Sequence, residues 1–340
     1  MKYRPLADTG VFVSELCLGT MTFGGGAQFW AAIGGLDQSA ATALVHRALD
    51  AGINFVDTAD VYAAGESETM VGEALKGRRH QVVLATKVRG RMGPGPNQVG
   101  LSRSHILESV EASLRRLGTD YIDLYQIHRV DPLTSLEDTL RALDDLVRAG
   151  KVRYIGCSNL EAWILMKALG ISRAQHLERF RCTQSYYSLV GRELERHTIP
   201  LLRDQGLGLL VWSPLAGGFL SGKFTRTGGD EGARRTKFDF PPVNKEKGFE
   251  ILDVLGPIAA RHRASVAQIA LAWLLAHDVV TSVIIGARRL AQLEDNLGAV
   301  DVALTAEEMK ALDEASKLAA EYPAWMEVLG SDRRPGESRY

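Results

Sequence analysis

The chain has 340 residues with 40 Lys+Arg against 41 Asp+Glu, a formal net charge of −1; recognition of nucleic acid by bulk charge, which needs a basic surplus, is not expected. Hydrophobic residues at 46% and charged residues at 24% describe a globular chain rather than a disordered one, and the length admits two modest domains or one α/β barrel with insertions. Cys17, Cys157 and Cys182 are too few and too widely spaced for a disulfide framework or a zinc site; no secretory h-region and no bilayer-length apolar run occur, so a cytoplasmic setting without membrane partners is expected.

In chain order, Tyr3 to Leu6 and Val11 to Ser14 flank Asp8-Thr9-Gly10 and read as a hairpin positioned to cover one end of a barrel. A phrase then recurs: an amphipathic helix ends in glycine and a dense apolar run follows, as in Arg47 to Gly52 before Ile53 to Asp57. Glycine just past a helix accepts the left-handed conformation that turns the chain into the next strand. The phrase returns at Gly118, Gly150 and Gly206. Ser102 and the Ser135-x-x-Asp138 pair read as helix N-caps, with apolar faces Ile106, Val110, Leu114, Leu117 and Leu136, Leu140, Leu143, Val147.

Eight nearly all-apolar runs result: Leu16 to Thr20, Ile53 to Asp57, Val82 to Lys87, Tyr121 to His128, Val152 to Ser158, Cys182 to Tyr186, Leu207 to Ser213 and Ser282 to Gly286. Continuous apolarity is what parallel strands buried on both faces require. Alternation with helices and the lack of a linker predict one (β/α)8 TIM barrel over residues 1–340, with an N-terminal hairpin and long loops on its C-terminal face. Those loops are Gly24 to Gly35, which contains Phe29 and Trp30, and Ala216 to Lys247; the tail from Tyr322, with Trp325, either folds back over the rim or frays.

The active site of such a barrel lies at the strand C-termini, and there the apolar runs end in Asp57, with Tyr62 after it, in Lys87 and in His128. A phenol, which ordinarily ionises near pH ~10, is a reluctant general acid at neutrality unless its anion is stabilised. A lysine ammonium beside Tyr62 would do this, Asp57 would keep Lys87 charged, and His128 would place and polarise a substrate oxygen. The implied chemistry is addition to a carbonyl, with Tyr62 protonating the oxygen and another group supplying hydride.

These residues lie in segments that resemble the aldo-keto reductases over nearly the whole chain: Gly52 to Ala59 with Tyr62, Ala85-Thr86-Lys87, Leu117 to Leu124 leading to His128, Gly150 to Asn159, Gln184 to Ser188, Trp212 to Leu215 and Gly286 to Arg289. The sequence is similar to the bacterial, channel beta-subunit-like and aryl-alcohol-dehydrogenase-like members. The resemblance implies a carbonyl reductase that takes hydride from NADP(H), with the tetrad Asp57, Tyr62, Lys87 and His128. It implies that Ser158, Asn159 and Gln184 hold the carboxamide, that Trp212 stacks on the nicotinamide, and that Ser213, Pro214, Leu215, Gly217 and Lys223 follow the pyrophosphate. Gly286, Arg288, Gln292 and Asn296 would take the adenosine end, the Arg288 guanidinium favouring NADP by pairing with a phosphate. Thr20, Met21 and Asp57 complete the cofactor contacts; Phe23, Trp30 and Trp325 are expected to shape the pocket for a small-molecule carbonyl substrate. The sequence departs from the family pattern at Ile285, where proline is common, and at Ala63-Ala64, where glycine is.

Two other readings stand beside this one. Gly217-x-x-x-x-Gly222-Lys223 resembles a phosphate-binding loop, but Phe224 stands where the magnesium-ligating hydroxyl belongs. The second is an NADPH-binding regulatory or channel-associated subunit with slow turnover. Oligomeric state, a homo-oligomer included, is not readable from the sequence.

Overall fold

A hairpin of β1 (Tyr3–Pro5) and β2 (Phe12–Ser14) opens the chain. Eight strands follow the expected runs: β3 (Leu16–Gly19), β4 (Phe55–Asp57), β5 (Val83–Val88), β6 (Ile122–Ile127), β7 (Val152–Ser158), β8 (Phe180–Tyr186), β9 (Gly208–Trp212) and, after a small ribbon of β10 (Phe224–Thr225) and β11 (Gly228–Gly229), β12 (Val280–Ile285). β3 to β9 pair in parallel with their chain neighbours and β12 closes the ring between β9 and β3, giving a (β/α)8 barrel. The computed structural model describes residues 1–25, 30, 33–226, 228–229 and 234–327; the expectations for Phe29 and for the tail beyond 327 lie outside the described residues.

The helix signals act where the sequence puts them. Ser102 and Ser135 accept hydrogen bonds from the amides of His105 and Asp138 at 3.3 and 3.0 Å, capping helices Arg103–Leu117 and Leu136–Arg148. Gly52, Gly118, Gly150 and Gly206 all take positive φ after their helices. The apolar faces of the helices pack on the outer face of the barrel as one continuous core.

The barrel interior is closed from below. Leu6 and Val13 of the hairpin join Cys17, Phe55, Ala85, Leu124, Cys182, Leu210 and Ile284 in a separate apolar cluster. Asn54 clamps the hairpin at the lower end of β4, accepting from the Ser14 amide at 2.7 Å and donating to the Phe12 carbonyl at 3.0 Å. With the bottom plugged, polar chemistry is confined to the opposite rim.

At that rim the segment after β4 turns sharply: Ala63, Ala64 and Gly65 take φ of 48°, 54° and 96°. A left-handed conformation costs a non-glycine residue about 1–2 kcal/mol, so the two alanines make this a strained turn just after Tyr62. The Ala64 side chain is exposed, and Ala64→Gly is expected to stabilise the protein by up to about 1 kcal/mol, relief of strain exceeding the entropy cost of glycine; a lowered urea midpoint would contradict this. Burial raises the pKa of all three free thiols, that of Cys157 to about 12. A disulfide reagent added to the native protein should find no fast-reacting thiol, and all should react after unfolding.

Candidate active site

The end of β4 supplies Asp57, the turn beyond it Tyr62, β5 Lys87 and the residue after β6 His128. Four separate elements therefore meet at one point of the upper rim. Lys87 is 0% exposed, and its Nζ donates to Asp57 Oδ1 at 2.5 Å, to the Thr58 carbonyl at 2.9 Å and to the Tyr62 hydroxyl at 3.3 Å. Burial works to lower the Lys87 pKa, but Asp57 and Tyr62 more than offset it and hold the ammonium charged, with a pKa of about 12.

Lys87 does favour the Tyr62 phenolate, as expected, but it does not win. Burial raises the Tyr62 pKa by more than the neighbouring Lys87 lowers it, so the hydroxyl keeps its proton in the resting site. His128 stands edge-on to Tyr62 with ring centroids 5.9 Å apart. Burial, reinforced by Lys87, Arg129 and Arg89, pushes its pKa down to about 3, so the imidazole is neutral at ordinary pH. The cluster thus holds one protonated phenol, one fixed ammonium and one neutral imidazole.

Gln126 of β6 was not anticipated. It donates to Asp57 Oδ2 at 3.1 Å, and Gln184 of β8 donates to the same oxygen at 2.8 Å. The signal was present as a lone amide within the apolar run of β6. Asp60 was also missed: it is fully buried behind the tetrad without a hydrogen-bond partner for its carboxylate among the described residues, and burial followed by repulsion from Glu68 raises its pKa to about 8.

Above the tetrad lies a cavity of about 1370 Å³, larger than the roughly 300–1,000 Å³ of most small-ligand pockets. Asp57, Tyr62 and His128 line its floor, as do Thr20, Met21, Ser158, Asn159 and Gln184. Asn159 links this region: Nδ2 donates to the His128 carbonyl at 3.1 Å and to Ser158 Oγ at 2.8 Å, and Oδ1 accepts from Trp212 Nε1 at 3.0 Å. The Trp212 ring has Tyr186 tilted beside it and Phe240 parallel to it, with centroids 5.2 and 5.9 Å away.

The far end of the cavity is lined by Ser213, Pro214, Leu215, Gly217 and Lys223, and by Gly286, Arg288, Gln292 and Asn296. At Gly217, with φ of 65°, a Cβ would meet the Phe240 carbonyl oxygen at 2.4 Å, so only glycine lets the two backbones approach this closely. Arg235 bridges the same two segments, donating to the carbonyls of Ala216 and Pro241 at 2.6 and 2.8 Å. The guanidinium of Arg288 donates through Nε and Nη2 to the Ile33 carbonyl at 3.1 and 2.8 Å, and its amide donates to Gln292 Oε1 at 2.8 Å. Gly217 and Lys223 lie at the mouth of the barrel in a short helical turn, Ala216–Ser221, and its continuation, not in the strand–loop–long helix of a phosphate-binding loop.

Two expectations for the pocket wall need correction. Phe23 is 0% exposed within the main core, because its β-bridge to Leu36 folds it beneath the loop. Trp325 is 51% exposed, pairs with Tyr322 and does not line the cavity; Arg196 holds Glu321 at 2.8 Å, which ties this part of the tail to the outside of the barrel at helix Leu194–Gln205. Trp30 does line the cavity, its ring edge-on to Tyr62 at 5.9 Å. Ile285 ends β12 in register with Leu18, where its amide position is part of the barrel ladder.

The sequence profile of the Aldo/keto reductase family matches residues 15–317. The chain is 39% identical to the "Uncharacterized oxidoreductase YrpG" of Bacillus subtilis (strain 168), over 92% of this chain and 95% of that protein. It is 36% identical to the "NADH-specific methylglyoxal reductase" of Escherichia coli (strain K12), over 90% and 95%, and 36% identical to a "Probable voltage-gated potassium channel subunit beta" of Arabidopsis thaliana, over 89% and 92%. Family members use nicotinamide cofactors, and a barrel with this cavity over Asp57, Tyr62, Lys87 and His128 is an oxidoreductase fold of that kind: the chain belongs to the aldo/keto reductase family.

Proposed function

We propose that the chain reduces a ketone or aldehyde to an alcohol with NADPH, and that Tyr62 delivers the proton. The observation that carries this reading is the buried line from Asp57 through Lys87 to the Tyr62 hydroxyl, 2.5 and 3.3 Å long, that ends on the floor of the cavity. The nicotinamide, when bound, supplies the hydride that the carbonyl carbon accepts. Ser158, Asn159 and Gln184 are the residues to hold its carboxamide, Trp212 its ring, Ser213 to Lys223 its pyrophosphate, and Arg288, Gln292 and Asn296 its adenosine end. The volume of the cavity, which runs from the tetrad to Asn296, and the close approach at Gly217 support a dinucleotide there.

The chemistry of this chain's residues follows from their charges. Tyr62 stays protonated until the substrate oxygen becomes basic. As the proton leaves, the phenolate develops beside the Lys87 ammonium, which is already charged and held by Asp57, so little reorganisation is needed. Neutral His128 donates an N–H toward the same oxygen without competing as an acid. The alcohol leaves and the phenol recovers its proton from solvent.

The similarity to a channel subunit keeps a second reading in view, that of a binding subunit. The tetrad favours turnover, and the nicotinamide absorbance of NADPH with a panel of ketones and aldehydes decides: tight NADPH binding without turnover across the panel would support the subunit. Tyr62→Phe should lower turnover by about 10²–10⁴-fold and leave NADPH affinity nearly unchanged; substantial residual turnover would make another residue the acid. Arg288→Ala should weaken NADPH by at least about tenfold, the worth of a charge-assisted hydrogen bond to the 2′-phosphate, and NADH hardly at all. Equal losses for both cofactors would sink the assignment of Arg288 and with it the preference for NADP.

A further inference from the structure

The loops that follow β5 and β6 bring Arg89, Arg91 and Arg129 to the cavity wall next to His128 and Tyr62. Arg89 has φ of 129°, a conformation that side-chain-bearing residues rarely adopt, and it is fixed there from two sides. Its carbonyl accepts from the Gly100 amide at 3.1 Å and its Nε donates to the Val130 carbonyl at 3.3 Å. Backbone strain of this kind persists where the surrounding structure enforces it, and such sites cluster around ligands. Arg91 is anchored in turn through Nη1 to the carbonyls of Gly93 and Gly95 at 3.0 and 2.9 Å.

The charge gathered here is not neutralised from within the cavity. Among the described residues its lining holds two carboxylates, Asp57 and Asp295. Asp57 is bound to Lys87, Gln126 and Gln184, and Asp295 lies at the other end, accepting from Ser265 and Gln268. Asp131, close to Arg89, accepts from the amides of Leu101 and Leu133 and from Thr134, and stands outside the lining. Burial first, and then Arg129, makes the positive charge of Arg89 less favourable, with Asp131 only partly offsetting them, and both arginines act in the same sense on His128. Arg89, half-buried, and Arg129, exposed, thus line the same wall beside the reacting position, and an anion placed between them would meet two positive charges.

We infer that the substrate end of this pocket selects carbonyl compounds that carry an anionic group, a carboxylate, sulfonate or phosphate, with Arg129 and Arg89 as the specificity-determining residues. The forked guanidinium geometry suits each of these oxyanions. Trp30 and Val61, from the facing segments, supply apolar surface for the body of the substrate. This inference rests on reading the cavity as a carbonyl-reduction site, and its test separates the two.

The ortho, meta and para formylbenzoates are compared with their methyl esters, which keep the aldehyde and the ring but remove the charge. For at least one isomer the acid should exceed its ester in kcat/KM by at least about tenfold, mainly through KM. That ratio should fall as salt is raised, because partly exposed charges are screened, and it should approach one in Arg129→Met, whose folding is checked by NADPH binding. Equal or ester-favouring ratios for all three isomers in the wild type, or an undiminished ratio in Arg129→Met, would overturn the inference. Should no aldehyde be turned over, the carbonyl-reduction reading fails by itself. Calorimetric binding of the same pairs to the NADPH-loaded protein then decides the charge preference: tighter binding of the acids, lost in Arg129→Met, upholds it, and equal binding overturns it.

Discussion

The Lys87–Asp57 pair is the constraint around which the upper half of the barrel is arranged. An ammonium with no exposure is sustained here by a carboxylate at 2.5 Å, with the Thr58 carbonyl and the Tyr62 hydroxyl taking its other protons, and removing one partner of such a pair typically costs about 3–5 kcal/mol because the other is left buried and charged. Asp57 needs partners for its second oxygen as well, and Gln126 and Gln184 provide them. The pair thereby draws on β4, β5, β6 and β8, so closure of the barrel and assembly of the site are one requirement. The same charge places a ready counterion beside Tyr62, whose own burial keeps it protonated.

The two ends of the barrel divide stability and chemistry between them. Below, Leu6 and Val13 seal an interior lined by Cys17, Cys182 and Leu210, and the Tyr154 hydroxyl packed against it donates to the Thr9 carbonyl of the hairpin at 3.2 Å. Above, the long connections that follow β3 and β9 extend the rim into a large cavity, held in shape by the Gly217–Phe240 approach and by the buried Arg235, which also meets Asp239 at 2.6 Å. This division is general to (β/α)8 barrels, and it explains how a turn as strained as Ala63-Ala64 is tolerated: it lies where positioning Tyr62 matters more than local stability.

Much of this was legible because parallel strands and barrel active sites leave direct marks. A strand buried on both faces is an unbroken apolar run, so a polar residue at its end stands out, as Asp57, Lys87 and His128 do. Gln126 escaped notice because one amide inside a run reads as noise until its partner is known. Phe23 and Trp325 were misplaced for a related reason: an aromatic residue in a loop or tail carries no mark of whether it turns into the core, as Phe23 does, or outward, as Trp325 does. The charge of the rim was similarly hidden by a net charge of −1, since a balanced total says nothing about three arginines gathered on one wall.

The sequence by itself determined the order and type of the elements, the glycine and serine signals at helix ends, and the polar residues that close the apolar runs, Asp57, Lys87 and His128, because each depends on residues near one another in the chain or on periodicity that a local window contains. The tertiary structure decided the rest: that Gln126 and Gln184 share one oxygen of Asp57, that burial outweighs Lys87 in setting the acidity of Tyr62, that Arg288 is seated on the Ile33 carbonyl, and that Arg89 and Arg129 line one wall of the cavity. These are consequences of desolvation and of contacts between distant segments, and neither exists until the barrel closes.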